Sequence, residues 1–360
     1  MAINFPNSPT IGQSYELEGQ FYIWDGTVWR REDYLQNVVQ YVKTGNTSVR
    51  PVPDTSGTLY FNTDLPGLEL YYPASNAWEV VNTFTTQQDA TAASGQALYT
   101  SPGTHSWVCP LNVYSVDVVC VGGGGSGGNN SSGGGGGGGG GLGYKNSISV
   151  TPGTSYTVVV GAGGAARVSA PQAGEVGGDS YFISTATVKG GGGSGGGSAT
   201  GISATGGDYF PLGGNGGNGG VDNNAAGGGG GAGGYSGSGG NGGTGFGGAG
   251  LAGTGGAGGG GGGGDYTYRG GSGGGVGVLG EGTSGTGGAG STNDIGSGGT
   301  GGSNGSSGSN GISATPGVYG GGGSGNDQSN YSDSGAGGSG AVRIIWGDGR
   351  AFPSTNTGDV

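Results

Sequence analysis

The stretch VDVVCVGGGGSGGNNSSGGGGGGGGGLGYKN, residues 116–146, decides how this chain folds. It opens as a strand, with Tyr114, Val116, Val118 and Cys120 alternating on one face and β-branched residues suited to a pleated surface. The strand then runs directly into glycine, and the run 133–141 has no side chain at all. An extended left-handed helix of ~3 residues per turn and ~3.1 Å rise makes no internal hydrogen bonds, so its N–H and C=O groups are free for neighbours. Any Cβ would push two such helices apart, as at the collagen axis. A run without an exposed row therefore suits a helix enclosed by others.

Glycine is concentrated around this stretch and beyond it: of 106 in 360 residues, eight precede Gly122 and three follow Gly340. Between 191 and 340 only 18 residues are Val, Ile, Leu, Phe or Tyr, and none is Trp or Met, too few to fill an apolar core. Such a composition gives either a flexible Gly/Ser linker or an assembly held by backbone hydrogen bonds. Spacing favours the assembly. Non-glycines recur every third residue at Asn215, Asn218 and Val221; at Ser238, Asn241 and Thr244; at Thr283, Thr286, Ala289 and Thr292; and at Ser297, Thr300, Ser303, Ser306 and Ser309. Each row is expected to face solvent. The repeat of GISATGGDY (201–209) as GISATPGVY (311–319) also argues for order. Since glycine costs roughly 0.5–1 kcal/mol of extra ordering entropy and a net hydrogen bond returns about 0.5–1.5 kcal/mol, the bundle must be cooperative and closed at its ends.

Flanking strands can close it. KNSISVTPGTSYTVVVGAGG places a Pro152-Gly153 turn between two alternating runs. SYFISTATV adds a strand, and GAVRIIWG (340–347) is expected to pair back against the sheet of 97–190. Upstream, Asp25-Gly26 between Trp24 and Trp29 is a two-residue hairpin signal. A second small β module carries Leu68, Leu70, Tyr72 and, on its return strand, Trp78. Leu35, Val38, Val39 and Val42 allow a short helix before Pro51 and Pro53. The expected fold is mostly β with little or no α-helix: small N-terminal β modules, then a β-sandwich-like base carrying a bundle of polyglycine II helices. The organisation reads as a module at 1–35, a connector at 36–53, a second module and linker at 54–96, the Gly-rich domain at 97–347 (base 97–190 plus 340–347, bundle 122–340) and a tail at 348–360.

A net charge of −12 and a pI near 4.2 argue against nucleic acid and anionic membranes as partners. No apolar run reaches the ~18 residues of a membrane span, and MAINFPNSPT lacks the basic and apolar regions of a signal peptide. The expectation is a soluble product made in a cytoplasm, with Cys109 and Cys120 as buried free thiols of neighbouring short strands.

Catalytic patterns are weak. Ser126 and Ser194 sit in G-x-S-x-G, a motif that needs a strand-to-helix elbow and a His partner, and His105 is the sole histidine. No Gly-Lys dipeptide supports a Walker loop. Glu175 and Glu281 have no evident groove for glycosidase work. GGSGND, ending at Asp327, matches only the front of a calcium-binding nonapeptide; a polar loop is the simpler reading, with a divalent cation near Asp327 or Asp333 left open. No enzyme activity, cofactor or metal is expected.

More informative are the islands that interrupt glycine, 165–176, 206–212, 221–226, 265–269 and 326–333, read as turns between extended helices. Their aromatics are either plugs at the bundle ends or a recognition surface for sugars or surface-protein loops. The candidate receptor-binding residues are Tyr209, Phe210, Asp265, Tyr266, Tyr268, Arg269 and Tyr331.

The pairing of FPNSPTIGQSYELEGQFYIWDGTVW (5–29) with GGSGAVRIIWGDGRAFPSTNTGDV (337–360) resembles tail-fibre and related virion proteins of marine cyanophages. TSPGTHSWVCPLNVYSVDVVCVGGGG followed by SVTPGTSYTVVVGAGG is similar to the Gly-rich domain of such fibres. Gly runs with interposed aromatic loops resemble the fibre-tip adhesins of some T-even-like phages, where packed polyglycine helices display variable loops. The resemblance implies a non-catalytic virion protein, assembled in the host cytoplasm. Its partners would be other tail or fibre proteins and a host-surface glycan or outer-membrane protein, with a homotrimer among the states left open. Trp24, Trp29 and Trp78 become candidate virion-docking residues. The two extra Trp-containing modules depart from the tip-adhesin pattern and leave open a whole short fibre or a decoration anchored elsewhere. Two alternatives remain: a purely structural tail, baseplate or capsid component, and an ice-binding protein with flat threonine rows.

Overall fold

A computed structural model describes residues 8–11, 13–17, 20–24, 26–31, 43–45, 59–62, 67–72 and 77–83. From 94 to 358 it describes all but 132, 169–170, 199–203, 222–225, 245–269, 291–295, 311–314, 327–332 and 355–356. The described residues contain strands and no helix. They fall into two compact units, Met1–Ala90 and Thr91–Val360.

In the first unit, β1 (Ser14–Leu17), β2 (Gln20–Trp24) and β3 (Trp29–Arg31) form an antiparallel sheet. The hairpin expected at Asp25-Gly26 is present, but its loop is four residues long, because Trp24 pairs with Trp29. A separate sheet orders β4 (Lys43–Gly45), β5 (Leu59–Asn62), β6 (Gly67–Tyr72) and β7 (Ala77–Thr83), with β4 parallel to β5. The segment read as a connector therefore supplies an edge strand. The helix considered at Leu35–Val42 lies outside the described residues.

The second unit is a sandwich of two five-stranded antiparallel sheets. One has the order β16-β11-β10-β17-β8, built from β8 (Gly95–Tyr99), β10 (Ser115–Val121), β11 (Leu142–Ser149), β16 (Leu212–Gly214) and β17 (Ala341–Trp346). The other has the order β15-β14-β13-β12-β9, built from β9 (Gly103–Val108), β12 (Ser155–Val160), β13 (Ser180–Phe182), β14 (Val188–Gly190) and β15 (Tyr209–Phe210). The 340–347 segment pairs back as expected, between β10 and β8. Gly153, at φ +75°, takes the third position of the Thr151–Thr154 turn, and Pro152 sets the second.

Two apolar clusters sit on opposite faces of β10. Val116, Val118 and Cys120 enter the core between the sheets with Trp107, Phe182, Val158 and Ile344. Val119 and Val121 enter a second cluster with Leu142, Tyr144, Tyr235, Val276, Val278 and Phe352. The Gly-rich segment, too poor in apolar residues to fill a core alone, nevertheless lines part of this one with Ala232, Tyr235, Val276 and Val278. The tail reaches it too, since Phe352 stacks on Tyr235 at 5.9 Å and Arg350 donates to the carbonyls of Gly95, Thr357 and Gly358. Both cysteines are free and buried, but β10 and the end of β9 lie in different sheets, so they are not on neighbouring strands.

Strands continue directly into extended rods. Rods 122–129, 161–164, 191–197 and 215–220 leave β10, β12, β14 and β16; rods 133–141, 174–179, 204–208 and 334–340 return to β11, β13, β15 and β17. Hydrogen bonds repeat every third residue, as a three-per-turn helix requires. In rod 133–141 the N–H groups of residues 134, 137 and 140 donate to rod 320–326, those of 135, 138 and 141 to rod 191–197, and those of 136 and 139 to rod 215–220. Its carbonyls accept from rods 122–129, 226–233 and 204–208. That is a hexagonal arrangement, and 133–141 is buried throughout. Within the described rods, positive φ is confined to turns and rod ends, such as Gly133, Gly320 and the Ser303-Asn304 turn. Close approach explains the rest: a Cβ on Gly137 would lie 2.2 Å from the Gly125 carbonyl oxygen.

Candidate functional site

Hydrogen-bond register defines the two ends of the bundle. Gly122 with Gly141, and Gly233 with Gly140, mark the level next to the sheets; Gly128 with Gly135, and Gly227 with Gly134, mark the far level. Every segment between 130 and 333 that lies outside the described residues is flanked on both sides by residues in the half of the rods away from the sheets. Gly95, where β8 begins opposite Trp346, lies at the other extreme, on the side of the sandwich away from the rods. The fold thus sends its chain entry and these segments to opposite ends, while the connections 234–238 and 278–281, whose Tyr235 and Val278 enter the second apolar cluster, turn at the sheet end.

At the far end the described groups are closely bonded. Asn326 Nδ2 donates to Asn129 Oδ1 at 3.0 Å and to the Asn130 carbonyl at 3.1 Å, and Asn326 Oδ1 accepts from the Asn130 N–H at 2.9 Å. Both Asn129 and Asn326 are buried. Residues 165–168 and 171–173 are tied together as well: Arg167 Nε donates to the Ala173 carbonyl at 2.8 Å and its Nη1 to Glu175 Oε1 at 2.8 Å. Ser334 Oγ accepts from the Arg167 N–H and donates to the Gly127 carbonyl. Val168 and Val176 remain exposed.

Along the sides, serine and threonine hydroxyls clasp adjacent rods. The Ser194 N–H donates to the Thr205 carbonyl while Ser194 Oγ accepts from the Thr205 N–H. The same reciprocal pair joins Ser126 to Glu175, Thr300 to Thr286, Ser306 to Val318 and Ser309 to Thr315. Where a surface rod has lost a neighbouring carbonyl, an oxygen on the next rod replaces it. Asn241 and Asn218 do likewise for the N–H groups of Asn218 and Gly206. Ser194–Thr205 and Ser309–Thr315 each contain the threonine of the GISAT repeat, so that repeat marks two copies of one rod closure.

The period-three rows are confirmed at Asn215, Asn218, Asn241, Thr244, Thr283, Thr286, Ala289 and Thr300, all exposed. Thr292 lies outside the described residues. The last row breaks at Ser303, which is buried at φ +44° beside Asn304 at φ +64°, because one rod ends there and another begins. The spacing alone could not reveal that turn.

Of the candidate receptor residues, Asp265, Tyr266, Tyr268, Arg269 and Tyr331 lie outside the described residues, as does Asp327. Tyr209 and Phe210 are not in a turn between helices: they form β15 and pair with Gly190 and Lys189 at the sheet end, partly exposed. Asp333 is exposed. Trp24 and Trp29 are half-buried, with ring centroids 5.8 Å apart, and Trp78 is half-buried opposite Tyr71. Ser126 and Ser194 hydroxyls serve the clasps, while His105 Nε2 donates to the Ser101 carbonyl at 2.8 Å. Burial pushes the Cys120 thiol and the Tyr235 phenol far up, keeping both neutral. Among the described residues, no group of three or more His, Cys, Asp or Glu could hold a metal.

The sequence reading missed the Asn129–Asn326 contact and the Arg167 connection. Their only sequence signal is an asparagine at the end of a glycine run, easily taken for a solvated turn. The model of a family described as a glycine-rich domain matches residues 100–347, from the turn after β8 through β17. No curated protein matches the chain.

Proposed function

The chain belongs to the glycine-rich domain family, and from the resemblance of its end motifs to virion proteins we propose that it is a non-enzymatic adhesive protein of a phage virion, a tail-fibre or tip adhesin of the kind found in marine cyanophages. It would recognise the host cell surface through the connections between rods, its targets being a surface glycan or the loops of an outer-membrane protein. The observation that carries this reading is that the residues flanking 245–269 and 327–332 lie at the end of a rigid bundle farthest from the sheets, while Gly95 lies on the opposite side of the sandwich. Binding residues collect on connections whose length and composition can change without disturbing the scaffold. Residues 1–90, with Trp24, Trp29 and Trp78, would dock to other tail or fibre proteins.

Among the connections, 265–269 combines Tyr266, Tyr268, Asp265 and Arg269, and aromatic and arginine anchors dominate interface energies. Tyr331 is the next choice; Tyr209 and Phe210 drop behind, being at the sheet end. An ice-binding surface would need free threonine hydroxyls, whereas Thr286 and Thr300 bond to one another at 3.0 Å.

The test is adsorption of particles carrying Tyr266→Ala, Tyr268→Ala and Arg269→Ala together. The expected result is normal assembly with adsorption to the host slowed roughly tenfold or more. Unchanged adsorption by that variant and by one shortened at 327–332 would favour a purely structural tail, baseplate or capsid role.

A further inference from the structure

A helix of identical glycines with three residues per turn maps onto itself when rotated by a third of a turn and advanced by one residue, about 3.1 Å. Rod 133–141 is such a helix, so its interior hydrogen bonds to neighbouring rods are equally good in every register. Nothing within the run selects one. The same holds for residues 122–125 and 320–323 of two rods beside it. Register must be fixed where side chains begin.

Next to the sheets it is fixed by Val121 and Leu142, cross-strand partners that are both fully buried in the second apolar cluster. At the far end the three rods meet at Asn129, Asn130 and Asn326. Asn326 is 1% exposed and Asn129 0%. The Asn326 amide uses both of its ends: it accepts from the Asn130 N–H, and donates to Asn129 Oδ1 and the Asn130 carbonyl. Asn129 Nδ2 in turn donates to the Arg167 carbonyl at 3.3 Å, and the Asn129 N–H to the Gln172 carbonyl at 2.8 Å. A buried amide network is costly when half-satisfied, which makes it a sharp selector of one arrangement.

We propose that Asn326, acting through Asn129 and Asn130, is a positioning residue: a polar latch that sets the register of the central side-chain-free rods at their far end. It thereby fixes where the chain leaves toward 131–132, 165–173 and 327–332. The inference deepens the adhesin reading by naming what holds the recognition end in place. Its test requires no receptor, so it can fail while that reading stands, and the reverse.

The experiment is amide hydrogen exchange of the full chain, comparing wild type with Asn326→Ala. Expected is at least tenfold faster exchange at Gly128, Gly134 and Gly135, with Val121, Gly140 and Gly141 changed less than about twofold. Equal acceleration at both ends would mean that Asn326 adds only general stability, and would overturn the proposal. No acceleration anywhere would overturn it as well. If Asn326→Ala does not fold, Asn129→Ala, which keeps the two contacts between Asn326 and Asn130, is read by the same criterion. In the double variant the far-end effect should fall short of the product of the single effects, as expected for groups in one network; a full product would sink the latch.

Discussion

The sandwich and the rod bundle are made of one continuous chain and obey opposite rules. Between the sheets, Val118, Phe182, Ile344 and their neighbours exclude water with side chains, and the backbone is bonded within each sheet. Across the rods, the backbones themselves are the main packing surface, and most side chains lie at the periphery or, like Ala232 and Asn326, at sites with room for them. In the first region stability rises with side-chain size up to the available volume. In the second it is lost with the first methyl group at an enclosed glycine such as Gly137.

One substitution in each region separates the two rules most directly. Gly137→Ala adds one carbon at a φ that alanine accepts, yet that carbon would sit 2.2 Å from the Gly125 carbonyl oxygen, with rods on every side. It should cost more than about 3 kcal/mol, beyond ordinary overpacking, and Gly137→Val should prevent folding. Val118→Ala, removing two carbons from a fully buried site, should cost about 2–3 kcal/mol. Denaturant titration would decide, and Gly137→Ala proving the milder change would refute the view that backbone contact holds the bundle.

Much of this division was legible in the sequence. The alternation of Val116, Val118 and Cys120 and the bare run 133–141 were enough to predict a strand passing into an enclosed rod. Other features were hidden for identifiable reasons. Val119 and Val121 are buried as deeply as Val118, but a second buried face does not appear in alternation. Its partners Tyr235, Val276 and Phe352 are single residues far apart in the chain, with no period to connect them. Tyr209 and Phe210 lie in the glycine-rich part by sequence but at the sheet end in space, because β14 pairs with β15. At the candidate recognition end, composition marked where connections occur, while the asparagine contacts that hold it depend on residues nearly two hundred positions apart.

A milder test concerns the boundary between the two rules, where side chains substitute for missing backbone. Ser194→Ala leaves the Ser194 N–H bond to the Thr205 carbonyl but removes the acceptor of the Thr205 N–H. The clasp is exposed, so water replaces it in part, and the expected loss is about 1 kcal/mol. Ser309→Ala removes the matching oxygen of the second GISAT closure and should cost the same. Unequal costs would mean that the repeat is a coincidence of sequence rather than one structural device used twice.

The smallest expected effect lies in the sandwich, at an irregularity shared by β10 and β11. Between Val116 and Val118 the register shifts, and Asp117 Oδ1 accepts from the N–H of Ser147, which sits at φ +55°. Burial raises the Asp117 carboxyl above its ordinary value of 3.8, and the Ser147 N–H offsets part of that rise. A carboxyl with a raised value in the fold binds its proton more tightly there than in the unfolded chain. Its contribution is therefore full below about 3.8 and is lost as pH rises through the higher folded value. Asp117→Asn keeps an oxygen for the Ser147 N–H and removes the charge. Relative to wild type, the variant should gain stability as pH climbs from about 4 to 7, by less than about 1 kcal/mol because the site is partly solvated. Thermal melts at both pH values would measure it. A variant that lost ground over that interval would show that the Ser147 hydrogen bond outweighs burial, and that even in the sandwich a backbone contact can overrule a side chain's preference.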